Sequence, residues 1–286
     1  LVFSAYLPAR VNDVSFLDLP TAKETWSHNI IAISNQKGGV AKTSTCLNLG
    51  TSLSILGKKV LLIDFDVQAN LTLSMGFKEV GSFYDALGQS NRDLQSIVIR
   101  TGYDNLWLLP SDHRMVMVNK KYFGVQHYEF ILKDRLNRIK NNYDYILIDT
   151  PPSIDFFTLN ALTAASLAVI PSQCDVLSTL GVEKIQGIIS MIQQRTNPSI
   201  EVRVLINMYD DSSRAARLVH HQIRERYKEK AFDTIIEQDD AIKEAQILSL
   251  PVIHYKNQSR ASLQYLNLAK EILNVKHSKN IERKAG

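Results

Sequence analysis

Seven short apolar runs, NIIAIS, KVLLIDF, NLWLLPS, YDYILID, SLAVIPS, EVRVLIN and FDTIIE, recur through a chain of 286 residues. Most show no alternation of polar and apolar positions, so a strand built from them has no face that can be wet. Strands buried on both faces belong to a parallel sheet, whose neighbours must be joined by long crossovers. Helical patterns near 42–56, 127–141, 156–165, 177–194, 214–229 and 259–274 supply them. The expected fold class is therefore α/β: doubly wound, a mainly parallel sheet with helices on both faces. With 45% hydrophobic residues the chain can bury one large core, and no Pro-, Gly- or Ser-rich linker divides it. One domain is expected over 29–275, after an extension (1–28) of unassigned order and before a polar tail (276–286) expected to fray.

Other classes are excluded by what the sequence lacks. No apolar run approaches the ~18 residues of a membrane span, and no basic segment leading into an apolar one opens the chain, so a cytosolic protein is expected. Cys46 and Cys174 are far apart and outside any Cys-x-x-Cys spacing, which reads as two core thiols rather than a disulfide framework or zinc site. A net charge of +4 permits an anionic partner without demanding one.

The stretch NQKGGVAKTS (35–44) lies between the first apolar run and the first helical pattern. A glycine-bearing turn there aims backbone N–H groups and a helix dipole at phosphate. Gly38 and Gly39 let the backbone approach the anion, Lys42 reaches the β- and γ-phosphates, and the Thr43 hydroxyl ligates Mg²⁺. Val40, Ala41 and Ser44 complete the cradle. The common pattern, Gly, four residues, Gly-Lys-Ser/Thr, fails at Gln36 and Ala41. Ala41 is tolerable if it enters the helix at negative φ. The lysine before the glycine pair, Lys37, has no place in the common pattern.

KGGVAKTS resembles the deviant Walker A motif of the ParA/MinD group of P-loop ATPases. The resemblance implies ATP and Mg²⁺ as cofactors, and makes Lys37 the signature lysine that reaches the other subunit's nucleotide in a sandwich dimer. VLLIDFDVQANLT (60–72) looks like the family's second motif, which implies that Asp66 orients the attacking water and Asp64 helps hold Mg²⁺; Val67 stands where the family usually has proline. YDYILIDTPPS (143–153) resembles the Walker B strand, with Asp149 binding Mg²⁺ through water. INMYDDSS (206–213) and SRASLQYLNLAKEIL (259–273) resemble later blocks of ParA/Soj chromosome and plasmid partition ATPases, so the likeness runs from about residue 29 to 273. Asn207, with Met208 beside it, matches a position that recognises adenine. What the family implies is an ATPase with Lys37, Lys42 and Asp66 as catalytic residues, acting as an ATP-dependent homodimer. It would bind double-stranded DNA non-specifically in the bacterial cytoplasm, on the nucleoid, until a ParB-like centromere-binding protein stimulates hydrolysis. The alternatives are a MinD-like positional regulator on a membrane or protein scaffold, and a nucleotide-gated binding module with little turnover. The tail NIERKAG lacks the apolar amphipathic pattern that membrane binding needs.

One departure stands out. Where partition ATPases commonly carry a Pro-Arg-Asn-x-Arg-like stretch, this chain has EQDDAIKEA (237–245), with Lys243 its only basic residue. Adenine contacts from Glu237 and Gln238 would then be mostly backbone. A substitute DNA surface is offered by Arg214, Arg217, His221, Arg224 and Lys228, whose spacing stacks them along one helix face opposite Ala215, Val219, Ile223 and Tyr227. An ordinary solvated face is the plain alternative. Clustered cations suit phosphates and carry no base specificity.

Overall fold

The computed structural model describes residues 29–87, 93–122 and 125–285; the extension 1–28 lies outside the described residues. In chain order come β1 (Asn29–Ile33), α1 (Lys42–Ile55), β2 (Val60–Asp64), α2 (Asn70–Ser74) and α3 (Phe83–Leu87). They are followed by β3 (Ile99–Arg100), β4 (Leu106–Leu109), α4 (Val116–Tyr122), α5 (Ile131–Leu136), β5 (Tyr145–Asp149) and α6 (Phe156–Ala164). β6 (Leu167–Ser172), α7 (Val176–Arg195), β7 (Glu201–Ile206) and α8 (Arg214–Tyr227) come next, then α9 (Asp240–Ile247), α10 (Val252–Tyr255) and α11 (Arg260–Ala285).

The strands form one seven-stranded sheet in the order β3-β4-β2-β5-β1-β6-β7. Every neighbouring pair is parallel except β3–β4, so the expected doubly wound sheet is what forms. Alternate residues feed two cores. Ile30, Ala32, Leu61, Ile63, Ile146 and Ile148 share one with residues of α6, α7 and α8, while Ile31, Ile33, Leu62 and Leu147 share the other with α1 and α11. Gly50 lets α1 press onto the sheet: a Cβ there would stand 2.4 Å from Leu62 Cδ2. The register sets Asp64 and Ile33 each beside Asp149, which brings the three central strands to a flush end where α1 begins.

Several local expectations are corrected. FDTIIE is not a strand. Its ends touch β7 through Phe232 N–H to Val204 O (2.9 Å) and Ile236 N–H to Ile206 O (3.0 Å). Between them the N–H groups of Asp233 and Thr234 donate instead to the Glu271 carboxylate of α11, at 2.8 and 2.9 Å, which lifts the segment off the sheet. The pattern over 127–141 yields only the short α5, flanked by 3₁₀ turns at Tyr128–Phe130 and Lys140–Asn142. His127 at φ 59° blocks the start, and Arg138 and Ile139 bond three residues back, which tightens the end. The EQDDAIKEA stretch runs into α9, capped by the Asp239 carboxylate on Ala241 N–H. The final helix, expected to end near 274, runs on to Ala285. On α8 it is Ala216, not Ala215, that joins Val219, Ile223 and Tyr227 in the core. Cys46 is buried but Cys174 only half-buried.

Glu271 is 16% exposed and serves two backbone donors at once. Glu271→Ala is expected to cost about 1–2 kcal/mol, as charge-assisted hydrogen bonds at a partly buried site do. Urea unfolding checks this, and an unchanged midpoint would mean that water replaces the carboxylate without loss.

Candidate functional site

The loop after β1 is rooted by Asn35, whose Nδ2 donates to Pro171 O (2.8 Å) and whose Oδ1 accepts from Lys37 N–H (3.0 Å). Gly39 takes φ 75°, and nothing lies within 4 Å of where a Cβ would stand on Gly38 or Gly39, so that side of the loop is open for an anion. Ala41 departs from expectation: it sits at φ 62°, ψ 39°, in the left-handed region that the common pattern fills with glycine. That conformation costs an alanine about 1–2 kcal/mol, strain held where the phosphate would lie. Helix α1 starts directly behind it with no side-chain cap and no acidic residue in its first turn, leaving its positive end uncompensated. Lys42 is buried, its Nζ 3.2 Å from Lys37 O; burial pulls its pKa down, opposed by the charges of Asp149 and Asp66.

Three carboxylates stand at the flush strand ends. Thr43 Oγ1 donates to Asp149 Oδ2 at 2.7 Å, while Asp149 Oδ1 is buried without a partner. A buried carboxylate oxygen left so is costly, and a cation with its water shell would satisfy it. Among the described residues no three acidic, histidine or cysteine groups close a metal cage. That suits Mg²⁺, which takes one or two carboxylates with water and phosphate oxygens. Thr43 and Asp149 thus fit the ion. Burial first, and Asp64 next, push the Asp149 carboxyl well up. Asp64 is pushed up to about 6 by burial, against its hydrogen bonds. Its Oδ2 accepts from Thr72 N–H (2.8 Å) and Oγ1 (2.7 Å), and its Oδ1 from Asp66 N–H (3.3 Å), which suits it to the water shell rather than the ion. The Asp66 carboxyl is raised by burial, opposed by Gln68 N–H at 3.0 Å and the charge of Lys42.

Lys37 does not point to its own loop. Its Nζ donates to Asp175 Oδ2 (2.8 Å) and Oδ1 (3.0 Å), to Ser178 Oγ (2.8 Å) and to Gln173 Oε1 (3.4 Å), at the start of α7. Asp175 also caps α7 through Ser178 N–H (2.8 Å). Beside it Val176, Leu177 and Leu180 are 70%, 68% and 47% exposed. Gln173 further donates to Gly39 O (3.2 Å) and Met208 Sδ (3.1 Å), and Gln246 of α9 to Ser44 Oγ (2.8 Å). These contacts were missed in the sequence. Only Asp175, an N-cap residue type before a helical pattern, left a signal there.

The residues expected to meet the base carry bonds within the protein. Asn207 is buried, its Nδ2 on Thr45 Oγ1 (2.9 Å) and its Oδ1 on Met208 N–H (2.9 Å), so its amide ties β7 to α1. The N–H groups of Glu237 and Gln238 are already used by Gln264 Oε1 and Tyr209 O, both at 2.9 Å. The basic stripe is interrupted too. Arg214, Arg217 and Lys228 are exposed, although Arg217 also donates to Asp211 O. Arg224 lies down on Asp233, 2.8 Å from its carbonyl, and His221 faces Glu225. Lys243 pairs with Asp240 at 3.0 Å.

The Lys37–Asp175 pair is 26% and 41% exposed. Asp175→Asn should therefore cost under about 1 kcal/mol, and less in high salt. The lysine and cap bonds hold the Asp175 carboxyl below its ordinary value despite some burial. The pair's contribution is thus present above the ordinary carboxylate pKa and lost as pH falls through the depressed one. Unfolding of both proteins in urea across pH and salt checks this; a difference that persists in strong acid would contradict it.

Comparison with known proteins bears on this arrangement. A family described as "AAA domain" matches residues 28–202. The sporulation initiation inhibitor protein Soj of Bacillus subtilis (strain 168) is 35% identical over 247 residues, covering 85% of this chain and 97% of that protein. The chromosome partitioning protein ParA of Myxococcus xanthus (strain DK1622) is 33% identical over 248 residues, 85% of this chain and 87% of its own. Among solved structures, cobyrinic acid a,c-diamide synthase from Mycobacterium smegmatis with bound ADP and magnesium superimposes with TM-score 0.77 at 29% identity, over 88% of this chain and 96% of that one. The Pyrococcus furiosus cell division ATPase MinD, at 23% identity and TM-score 0.72 over 86% of this chain and 99% of its own, shares the fold.

Proposed function

Because the chain belongs to the ParA/Soj family of partition ATPases, we propose that it hydrolyses ATP with Mg²⁺ to drive segregation of DNA, as a homodimer that forms only with ATP. The observation that carries this is Lys37, a cation set before the glycine pair and held at the apolar edge made by Val176, Leu177 and Leu180. Such a patch is what a second copy of the chain would cover. Lys37 would then leave Asp175 for the partner subunit's nucleotide. Gly38 to Ser44 cradle the phosphates and Lys42 neutralises them. Thr43 and Asp149 hold Mg²⁺, with Asp64 behind them, and Asp66 orients the attacking water. Phosphoryl transfer needs little more than positioned charge of this kind. Adenine would lie near Asn207 and Met208, through backbone rather than the committed amide.

The dimer would bind double-stranded DNA without sequence preference in the cytoplasm, on the nucleoid, until a ParB-like partner stimulates hydrolysis. Arg214 and Lys228, both exposed, would meet phosphates directly; Arg217, Arg224 and Lys243 would first leave Asp211, Asp233 and Asp240. Among the described residues no helix is long and apolar enough to cross a membrane.

Gel filtration with ADP, with ATP and with no nucleotide tests the dimer, which should appear with ATP alone. Asp66→Ala is expected to keep that dimer and lose turnover, because only the water-orienting carboxylate is removed. Hydrolysis at the wild-type rate by this variant would strip Asp66 of its role.

Replacing Arg214 and Arg217 together by glutamate should abolish DNA retention while ATP-dependent dimerisation persists. Two cations on each of two subunits would lower the salt slope by roughly 3 to 4 before charge reversal adds to the loss. Mobility shifts over a salt series measure it, with liposomes as a parallel arm. Undiminished DNA binding would remove the stripe from the mechanism, and ATP-dependent liposome binding would favour a MinD-like role.

A further inference from the structure

The segment from Asp64 to Thr72 carries Asp66 between β2 and α2, and its geometry is set by its own far end, Thr72, and from outside by Ser111. Its sequence has Val67 in place of a stiffening proline, and Ala69 is left-handed at φ 54°, a conformation that persists only when its surroundings over-determine it. The surroundings are Thr72 and Ser111, each 2% exposed. Ser111 belongs to the turn after β4, the strand beside β2. Its Oγ donates to Asp66 O at 2.6 Å and its N–H to Thr72 Oγ1 at 3.0 Å. A backbone N–H can only donate, so the Thr72 hydroxyl accepts there and turns its single proton to Asp64 Oδ2, 2.7 Å away. Thr72 N–H reaches the same oxygen at 2.8 Å. One residue thus grips the end of β2 and another grips the loop's middle and its far end.

Ser111 is itself immobilised. Asp112, next to it, caps the turn His113–Met115 through Arg114 N–H and pairs with the Arg114 guanidinium at 2.6 Å, which reaches Asp85 of α3 at 2.7 Å. The hold on Asp66 therefore comes from a neighbouring strand and a packed helix, not from the loop's own residues alone.

We propose that Thr72 and Ser111 are positioning residues for hydrolysis, fixing the backbone on which the Asp66 carboxylate is carried to the attacking water. The proposal rests on the reading of Asp66 given above. Reacting groups held near-attack lose about a hundredfold in rate for a displacement of about 1 Å, so slack at either residue reaches the chemistry without touching the nucleotide. Among the described residues no hydrogen bond joins either side chain to the loop 35–44.

The test is Mg-ATP turnover by the full chain, single-turnover and steady-state, with ADP and ATP affinities measured beside it. Ser111→Ala is expected to lower kcat by about ten- to a hundredfold with KM and both affinities unchanged, and Thr72→Val to lower kcat at least as far, since it also frees Asp64. Thr72→Ser, which keeps the hydroxyl, should restore most of the rate. Should Thr72→Val fail to fold, Ser111→Ala decides. A kcat within about twofold of wild type in Ser111→Ala, beside an inactive Asp66→Ala, overturns the proposal and leaves the role of Asp66 standing. Weakened nucleotide affinity that accounts for the whole loss overturns it in favour of a binding role. An active Asp66→Ala overturns both.

Discussion

Everything at the site hangs on the register in which β1, β2 and β5 end together, with Asp64 and Ile33 each beside Asp149. A slip of one residue in any of the three would turn its last side chain to the other face of the sheet. The register is enforced by burial on both faces, since Leu61, Leu62, Leu147 and Ile148 are fully buried and fit only in their own cores. Hydrophobic patterning thereby sets two carboxylates side by side in a place where neither would settle alone. Both are pushed toward protonation, chiefly by burial. Thr43, Thr72 and the nearby Lys42 offset part of that cost, and the unpartnered oxygen of Asp149 is what they leave for a cation.

The same compression shapes the phosphate loop. With Gly50 pressed against Leu62 and Asn35 fastened to Pro171, α1 and the end of β1 are fixed, and the loop must close the distance between them. Two left-handed residues, Gly39 and Ala41, do so. Local propensity would have placed glycine at both. Breaking that rule at one residue, in a chain otherwise consistent from pattern to packing, is what a functional site is expected to show.

How much of this the sequence displayed depends on whether a feature was periodic or made by contacts between distant residues. Six of the seven apolar runs became strands, because continuous burial leaves the same trace wherever the partner lies. FDTIIE carried that trace too, but a carboxylate 37 and 38 residues away could not be seen in it: Glu271 takes the N–H of Thr234, which a strand would have turned to β7, together with that of Asp233 beside it. Lys37, Lys42, Thr43, Asp64, Asp66 and Asp149 stood out as motif residues, and the fold brings all of them together except the Lys37 ammonium, which turns to Asp175. Gln173, Asp175, Ser178 and Gln246 were not, since each acts only by what lies across from it. The φ of Ala41 was misjudged because nothing in AKTS reports how far the loop must reach. Asn207 stood out in the sequence, yet its bond to Thr45 depends on β7 lying against α1.

The placement of Lys37 bears on how such a site could switch. A lysine buried with its carboxylate would be held too strongly to exchange partners, since parting a buried pair leaves a bare charge. Here both groups are partly exposed, so the hold is about 1 kcal/mol or less. A bias of that size amounts to about fivefold, which a competing site wins with modest extra affinity. The triphosphate of a second subunit, carrying more negative charge than Asp175 alone, supplies it on the proposed reading. Asp175 loses little in return, because it keeps its cap bond to Ser178 N–H whether or not the lysine stays. The weakness of the pair is therefore what lets a rigid sheet and a fixed loop present a movable cation.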